Sequence, residues 1–188
     1  MKACWVAVAQ LVLTVSARSQ ELPDSRWGAG VTFDLLPVVV SLSEGDAGGA
    51  VQGWVGQNHW KARLVGARLT MPENMGISDG FERHRLQVIA GLVDYTFGES
   101  FDGFWVGGGL ELWNNELLHS GTGQKVNWQE TMVTLGGGYI LYFGRFEVNP
   151  WAAVHLSLNP GDVGVNGDRY TSERLSAEAS LKLGWRFR

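Results

Sequence analysis

The chain lacks three things that would each have settled its class early. Beyond its N-terminal segment it has no run of about 18 apolar residues, so a membrane-spanning helix is excluded. It has one cysteine, Cys4, so no internal disulfide can form. It has no surplus of positive charge: 15 Lys and Arg stand against 19 Asp and Glu, a net −4, which leaves no basic face for nucleic acid. Capped helical periods are missing too, which argues against a helical bundle. What is present is 26 glycines, nine tryptophans and 11% aromatic residues, a composition suited to an all-β protein with close backbone approaches.

The N-terminus reads as a secretory signal. Lys2 supplies the positive start, residues 3–15 are almost continuously apolar, and Val15-Ser16-Ala17 or Ala17-Arg18-Ser19 offers a small-residue cleavage site. The run is too short to span a bilayer as a helix. We therefore expect a cleaved leader over residues 1–19 and one domain over 20–188. Cys4 falls inside the leader, too early for a lipoprotein anchor, and the mature domain has no thiol.

The clearest pattern is at the other end. Over residues 174–187 one parity carries Leu175, Ala177, Ala179, Leu181, Leu183, Trp185 and Phe187, and the other Arg174, Ser176, Glu178, Ser180, Lys182, Gly184 and Arg186. A strand sends alternate side chains to opposite faces, so this segment has one greasy face and one charged face. Seven similar segments precede it: residues 27–42, 49–56, 59–70, 83–97, 101–113, 128–143 and 146–158. Pro37 suggests an irregularity in the first. In the third, Trp60, Ala62 and Leu64 lie on one parity and Val65, Ala67 and Leu69 on the other, which a β-bulge near Val65-Gly66 would reconcile.

Connection lengths alternate. Gln57-Asn58, residues 98–100 and Gly144-Arg145 make short turns, while 71–82, 114–127 and 159–173 are long and polar, and 43–48 is intermediate. Short turns at one rim and long loops at the other are the habit of outer-membrane barrels, whose strand number is even. The fold expected is a single eight-stranded antiparallel up-and-down transmembrane β-barrel.

Opposite the apolar faces lie Asp34, Lys61, Arg63, Arg68, Arg85, Asp94, Glu111, Glu130, Glu147, Glu178, Lys182 and Arg186, both signs nearly balanced. Eight strands leave just enough width for side chains to fill, and buried charges must be paired. An interlocked polar network is therefore expected to plug the lumen, with Lys61, Arg63, Arg85, Glu111, Glu130, Glu147, Glu178, Lys182 and Arg186 as its members. Trp27, Trp60, Tyr95, Trp128, Trp151 and Trp185 lie near strand ends, where interfacial girdles would form. The glycine runs 107–109 and 136–138 are mid-strand, far from any phosphate loop. His59, His84 and His119 have no metal-ligand spacing, and Asp162 and Asp168 read as a solvated turn, so neither metal nor cofactor is expected.

From residue 27 to 188 the pattern resembles the small outer-membrane barrels of the OmpA/OmpX type. That resemblance implies a bacterial outer-membrane location, termini in the periplasm and loops outside. It also implies that Trp185 and Phe187 act as the C-terminal aromatic signal for the barrel-assembly machinery, although Arg188 follows here. The implied partners are outer-membrane lipids and that machinery, with an extracellular ligand or host surface for the loops; a monomer without catalysis is expected.

Two alternatives stay open. His155-Leu156-Ser157, with Glu173 and Glu178 beyond, is similar to the His-x-Ser pair and acid of outer-membrane lipid A 3-O-deacylases, which would make a Ser/His/acid hydrolase. In that family Asn follows the Ser directly and the catalytic groups face lipid. Here Leu158 precedes Asn159, and His155 and Ser157 share the parity of Glu147 and Trp151. The other alternative is a soluble periplasmic barrel or sandwich binding an apolar ligand, with the apolar parity inside.

Overall fold

The computed structural model describes residues 27–72, 80–98 and 100–187. The expected leader and most of the loop after the third strand lie outside the described residues. Eight antiparallel strands close on themselves: β1 (Trp27–Asp34), β2 (Gly49–Gln57), β3 (Trp60–Met71), β4 (Phe81–Thr96), β5 (Gly103–His119), β6 (Lys125–Phe143), β7 (Phe146–Ser157) and β10 (Leu175–Arg186). A helix, α1 (Leu36–Ser43), follows β1, and a separate hairpin of β8 (Asp162–Val165) and β9 (Asp168–Thr171) stands between β7 and β10.

Pairing fixes the barrel's shape. From Leu175 the row of paired residues runs through Leu156, Val133, Leu110, Gly91, Leu64, Gly53 and Val31, and returns to β10 at Trp185, ten positions along. A strand rises about 3.3 Å per residue and neighbours lie about 4.8 Å apart, so this stagger tilts the strands by about 40°.

Alternation decides which side chains enter. On β10, Lys182 and Arg186 are buried, while Leu175, Leu181 and Trp185 are exposed. The same holds around the wall: Leu64, Phe104 and Leu135 point out, and Lys61, Trp105 and Thr134 point in. Over most of the wall the apolar parity faces outward and the lumen takes the polar one, the reverse of a soluble apolar-cored barrel; an inner stretch of β3 and β4 is the exception.

Four details depart from the sequence reading. The first strand stops at Asp34, and residues 36–43 are helical. Asp34 Oδ1 accepts the Leu36 backbone N–H at 3.1 Å, an Asx turn, and Pro37 sits in the first helical turn, where its missing N–H costs nothing. Second, β3 pairs continuously with β2 and β4, with no bulge at Val65-Gly66; the register shift lies instead between Glu82 and His84, where Arg83 has φ 48°. Third, β5 and β6 run on through most of the expected 114–127 loop, leaving residues 120–124 between them. Fourth, the 159–173 loop contains the β8–β9 hairpin, whose Val165 and Tyr170 pack on Phe81 and Leu117.

Candidate functional site: the barrel lumen

The lumen has a floor, a polar middle and an apolar outer wall. The floor lies at the short-turn end. The turn after β4 tucks Phe101 inward, 3% exposed, with its ring 5.6 Å from that of Trp54. Gly28 and Gly56 leave the space it fills: a Cβ on Gly28 would come within 2.8 Å of the ring and one on Gly56 within 2.6 Å. Arg186 Nη1 donates to the Ser100 carbonyl at 2.7 Å, tying this turn to β10.

Above the floor the charges interlock. Lys61 Nζ lies 4.2 Å from the Trp54 ring centroid and 3.4 Å from the Tyr142 hydroxyl, which donates to Glu147 Oε2 at 3.0 Å. Arg186 stacks over the Tyr142 ring at 4.3 Å. Arg63 forks onto Asp94, Nε to Oδ2 at 2.5 Å and Nη2 to Oδ1 at 2.8 Å, while Nη1 donates to Gln52 at 2.7 Å. Room for the Asp94 carboxylate comes from Gly107, where a Cβ would collide with Oδ1.

In the middle, Asp34 accepts from the Trp151 indole at 2.9 Å and from the Ser180 hydroxyl, and Lys182 Nζ sits 3.5 Å over the Trp151 ring. Farther out, Glu111 accepts from Trp113 Nε1 at 2.6 Å and Thr134 Oγ1 at 2.8 Å. Glu130 accepts from Trp128 Nε1 at 2.7 Å and Ser157 Oγ at 2.8 Å. Among the nine network residues expected from sequence, Arg85 is the exception: it alternates outward and pairs with Asp46 and Glu116 outside the barrel. Arg68 also points out.

The hydrolase candidates do not form a relay. Ser157 gives its hydroxyl proton to Glu130. His155 Nδ1 is 2.9 Å from Thr134 Oγ1, and Nε2 is 3.2 Å from Glu178 Oε1; no hydrogen bond joins His155 to Ser157 among the described residues. Glu173 is exposed, outside any strand. Both His155 and Ser157 are buried in the lumen, not turned to the outer surface.

The part that the parity argument for a charged interior missed is apolar. Val65, Ala67 and Leu69 on β3 and Leu86, Val88, Ala90 and Leu92 on β4 form a cluster on the inner face. With α1, Trp113 and the Glu111, His155 and Glu178 group opposite, they line a cavity of about 550 Å³. The sequence signal was the parity switch at Leu64-Val65: β3 is apolar inside its outer half and apolar outside its inner half. Trp54, Phe101, Trp105 and Tyr142 were also missed as lumen residues; Trp54 stands between the outward Gly53 and Val55, and Trp105 between the outward Phe104 and Val106, which marks both as inward.

Outside the barrel, two carboxylates are held below the usual range. Asp46 is lowered first by the Ala47 backbone N–H, then by the Thr70 hydroxyl and Arg85. Asp162 is lowered by the Arg169 guanidinium across the β8–β9 hairpin. Burial pushes the Tyr170 hydroxyl up to about 12. No group of His, Cys, Asp and Glu suited to a metal occurs among the described residues.

No known protein-family model matches the sequence, and no curated protein matches it. Among solved structures, the chain is similar to the N-terminal β-barrel domain of Pseudomonas aeruginosa OprF, with a TM-score of 0.54 at 16% identity, covering 87% of this chain and 98% of that one. At that identity the likeness establishes fold and nothing finer: this chain is a closed, eight-stranded antiparallel barrel of the kind found in that domain.

Proposed function

We propose that the protein is an integral outer-membrane β-barrel that acts as a structural or surface-interaction element, its outer loops meeting an extracellular ligand or host surface. One observation carries the reading: aliphatic and aromatic side chains lie bare on the outside while ion pairs are buried within. Leu64 and Phe104 are each 67% exposed, and Lys61 is 2% exposed. Water would penalise that arrangement on both counts, since exposed apolar surface is unfavourable and a buried charge loses hydration. Hydrocarbon outside removes the first cost, and pairing inside offsets the second.

Dimensions agree. Along β10 the outward apolar face runs from Leu175 to Trp185, which at the tilt found here rises about 25 Å, the height of an outer-membrane apolar band. Trp27, Trp60, Tyr95 and Trp185 lie at the short-turn end on the outward parity, where an interfacial girdle belongs; Trp128 and Trp151, expected with them, turn inward instead, onto Glu130 and Asp34. Trp185 and Phe187 both face outward at the C-terminal strand, accessible to an assembly machinery that reads an aromatic there. The barrel closes on itself without a partner strand, which favours a monomer. The floor of Phe101, Trp54 and Arg186 favours a plugged lumen over a water-filled pore.

The test is nitroxide labelling at adjacent positions on β10. A label at Leu181 should be quenched by oxygen dissolved in lipid, and one at Lys182 should not. Unboiled samples should also migrate faster on gels than boiled ones. A monomer that stays in solution after detergent-free lysis refutes the reading.

A further inference from the structure

We infer that the lumen cavity is a binding site for a single aliphatic chain with a neutral polar head, reached sideways through a break in the outer half of the wall; this rests on the membrane reading above. The break follows from the pairing. β10 pairs with β7 over its whole length, but with β1 only from Lys182 to Arg186. Beyond that, Leu35 N–H reaches the Leu181 carbonyl, and among the described residues no strand pairs with 175–180 on that side. The place of the missing strand is taken by α1. Its start is tied to β10 by Leu36 N–H on Ser180 Oγ at 3.1 Å, and its end to β3 by Thr70 N–H on Ser41 Oγ at 3.0 Å.

The cavity opens at this break. Its lining includes Ala177 and Ala179, whose side chains belong to the outward parity of β10, as well as the inward Ser176 and Glu178. A cavity touching both parities of one strand reaches past that strand's edge. An open strand edge is not tolerated against hydrocarbon alone, only where it is buried in protein or lines a polar space. The free edge thus calls for hydrogen-bonding groups at this point. Ser176 Oγ, buried without a hydrogen-bond partner, adds another unmet demand beside it.

The two ends of the cavity specify the two ends of the occupant. The β3–β4 wall, Val65 through Leu92, is aliphatic and takes a chain. The β10 side offers the edge amides, Ser176, the partly exposed Glu178 and Lys182; the two opposite charges favour no ionised head, and the polar groups fit hydroxyls. About 550 Å³ lies within the range of small-molecule sites. The outer position of α1, beginning level with the Asp34–Lys182 pair midway up β10 and rising about 12 Å over its eight residues, sets the opening in the outer leaflet.

The experiment uses the full barrel, methyl-labelled, in perdeuterated phosphocholine micelles, with 1-monolauroylglycerol as probe. Chain protons should show nuclear Overhauser contacts to the inward methyls of Val88 and Leu92 that saturate at one equivalent, beside unsaturable contacts to the outward Ile89 and Val93. Ala90→Trp, which fills the cavity, should abolish the inward set and leave the outward set. Val88→Phe serves if that variant does not show the folded gel mobility, and Ile89→Trp should change nothing inside. Ala177→Trp, across the opening, should slow binding; an unchanged rate overturns the sideways route. Contacts on Ile89 and Val93 alone overturn the site while leaving the membrane reading intact. A barrel that is soluble and folded without detergent overturns both. Laurate binding as well as the monoglyceride overturns the neutral-head assignment.

Discussion

Replacing Asp94 by Asn tests the lumen network at its tightest point. The two side chains have the same shape, so the change leaves no cavity; it removes the charge and turns one acceptor oxygen into an N–H donor facing Arg63. In the native barrel Asp94 accepts a hydrogen bond from Arg63 Nη2 and makes a close ion-pair contact with Nε, and the two side chains are 4% and 9% exposed. Removing one partner of a buried pair costs about 3–5 kcal/mol, mostly because the other charge is left uncompensated. Here Arg63 keeps its bond to Gln52 and its place 5.1 Å over the Trp105 ring, so the loss should fall near the lower bound. About 3 kcal/mol is more than a hundredfold in the folding equilibrium. The assay is urea unfolding in phosphocholine vesicles, followed by tryptophan fluorescence and gel mobility in parallel. Adding Arg63→Met removes the stranded charge and should restore part of the loss. The reasoning fails if Asp94→Asn costs under about 1 kcal/mol, the value of a solvent-exposed pair, or if the double variant is no more stable than the single one.

Glycine positions give a paired test: Gly107→Val drives a Cβ into the Asp94 carboxylate and should cost about 1–3 kcal/mol, whereas Gly53→Val, with nothing within 4 Å, should stay within about 0.5 kcal/mol in the same unfolding titration. Phe101→Ala should destabilise the barrel by about 3–5 kcal/mol and open its floor, read as single-channel conductance in planar bilayers that the parent lacks. The hairpin should respond to acid and not to neutral pH. Asp162 is depressed below its ordinary value of 3.8 by Arg169, so its contribution is complete above that value and is lost as pH falls through the depressed one. The protection of the Val163 and Val165 amides, measured relative to the intrinsic exchange rate at each pH, should therefore be flat from about pH 5 to 8 and fall in stronger acid, and Arg169→Gln should return the titration of the Asp162 carboxyl toward 3.8.

How far the sequence could be read depends on whether one rule governs a strand along its length. On β10 one parity is apolar throughout, and the assignment of Leu181 outward and Lys182 inward follows from alternation alone. On β7, Glu147, Trp151, His155 and Ser157 share a parity, and all four turn inward. On β3 no single rule holds, because the apolar set changes parity at Val65. A bulge would have kept all apolar residues on one face, so one was inferred. The pairing is instead unbroken, and the inner face itself changes character, from Lys61 and Arg63 near the floor to Val65, Ala67 and Leu69 beyond. Arg85 was misassigned for the same reason, since β4 carries its apolar residues inward at that height. Phe101 was hidden for another reason: it enters from a turn, where alternation says nothing.

The helix and the apolar inner wall are connected. Pro37 cannot donate to a sheet, and Asp34 diverts the chain into an Asx turn, so β1 ends halfway up the barrel and its β10 neighbour is left open above that height. A lumen that was charged throughout would then expose ion pairs to hydrocarbon through the break. The inner face opposite is aliphatic at the same height, which lowers that cost, and the charges left at the break are held by partners: Asp34 by Trp151 and Ser180, and Glu178 by His155. Restoring the strand should therefore be tolerated only with a matching change inside. Pro37→Thr with Asp34→Val, which removes the Asx acceptor, favours extension of β1 along β10. That change seals the cavity's side, after which Val88→Gln would sit in an enclosed lumen with polar neighbours in place of an opening to lipid.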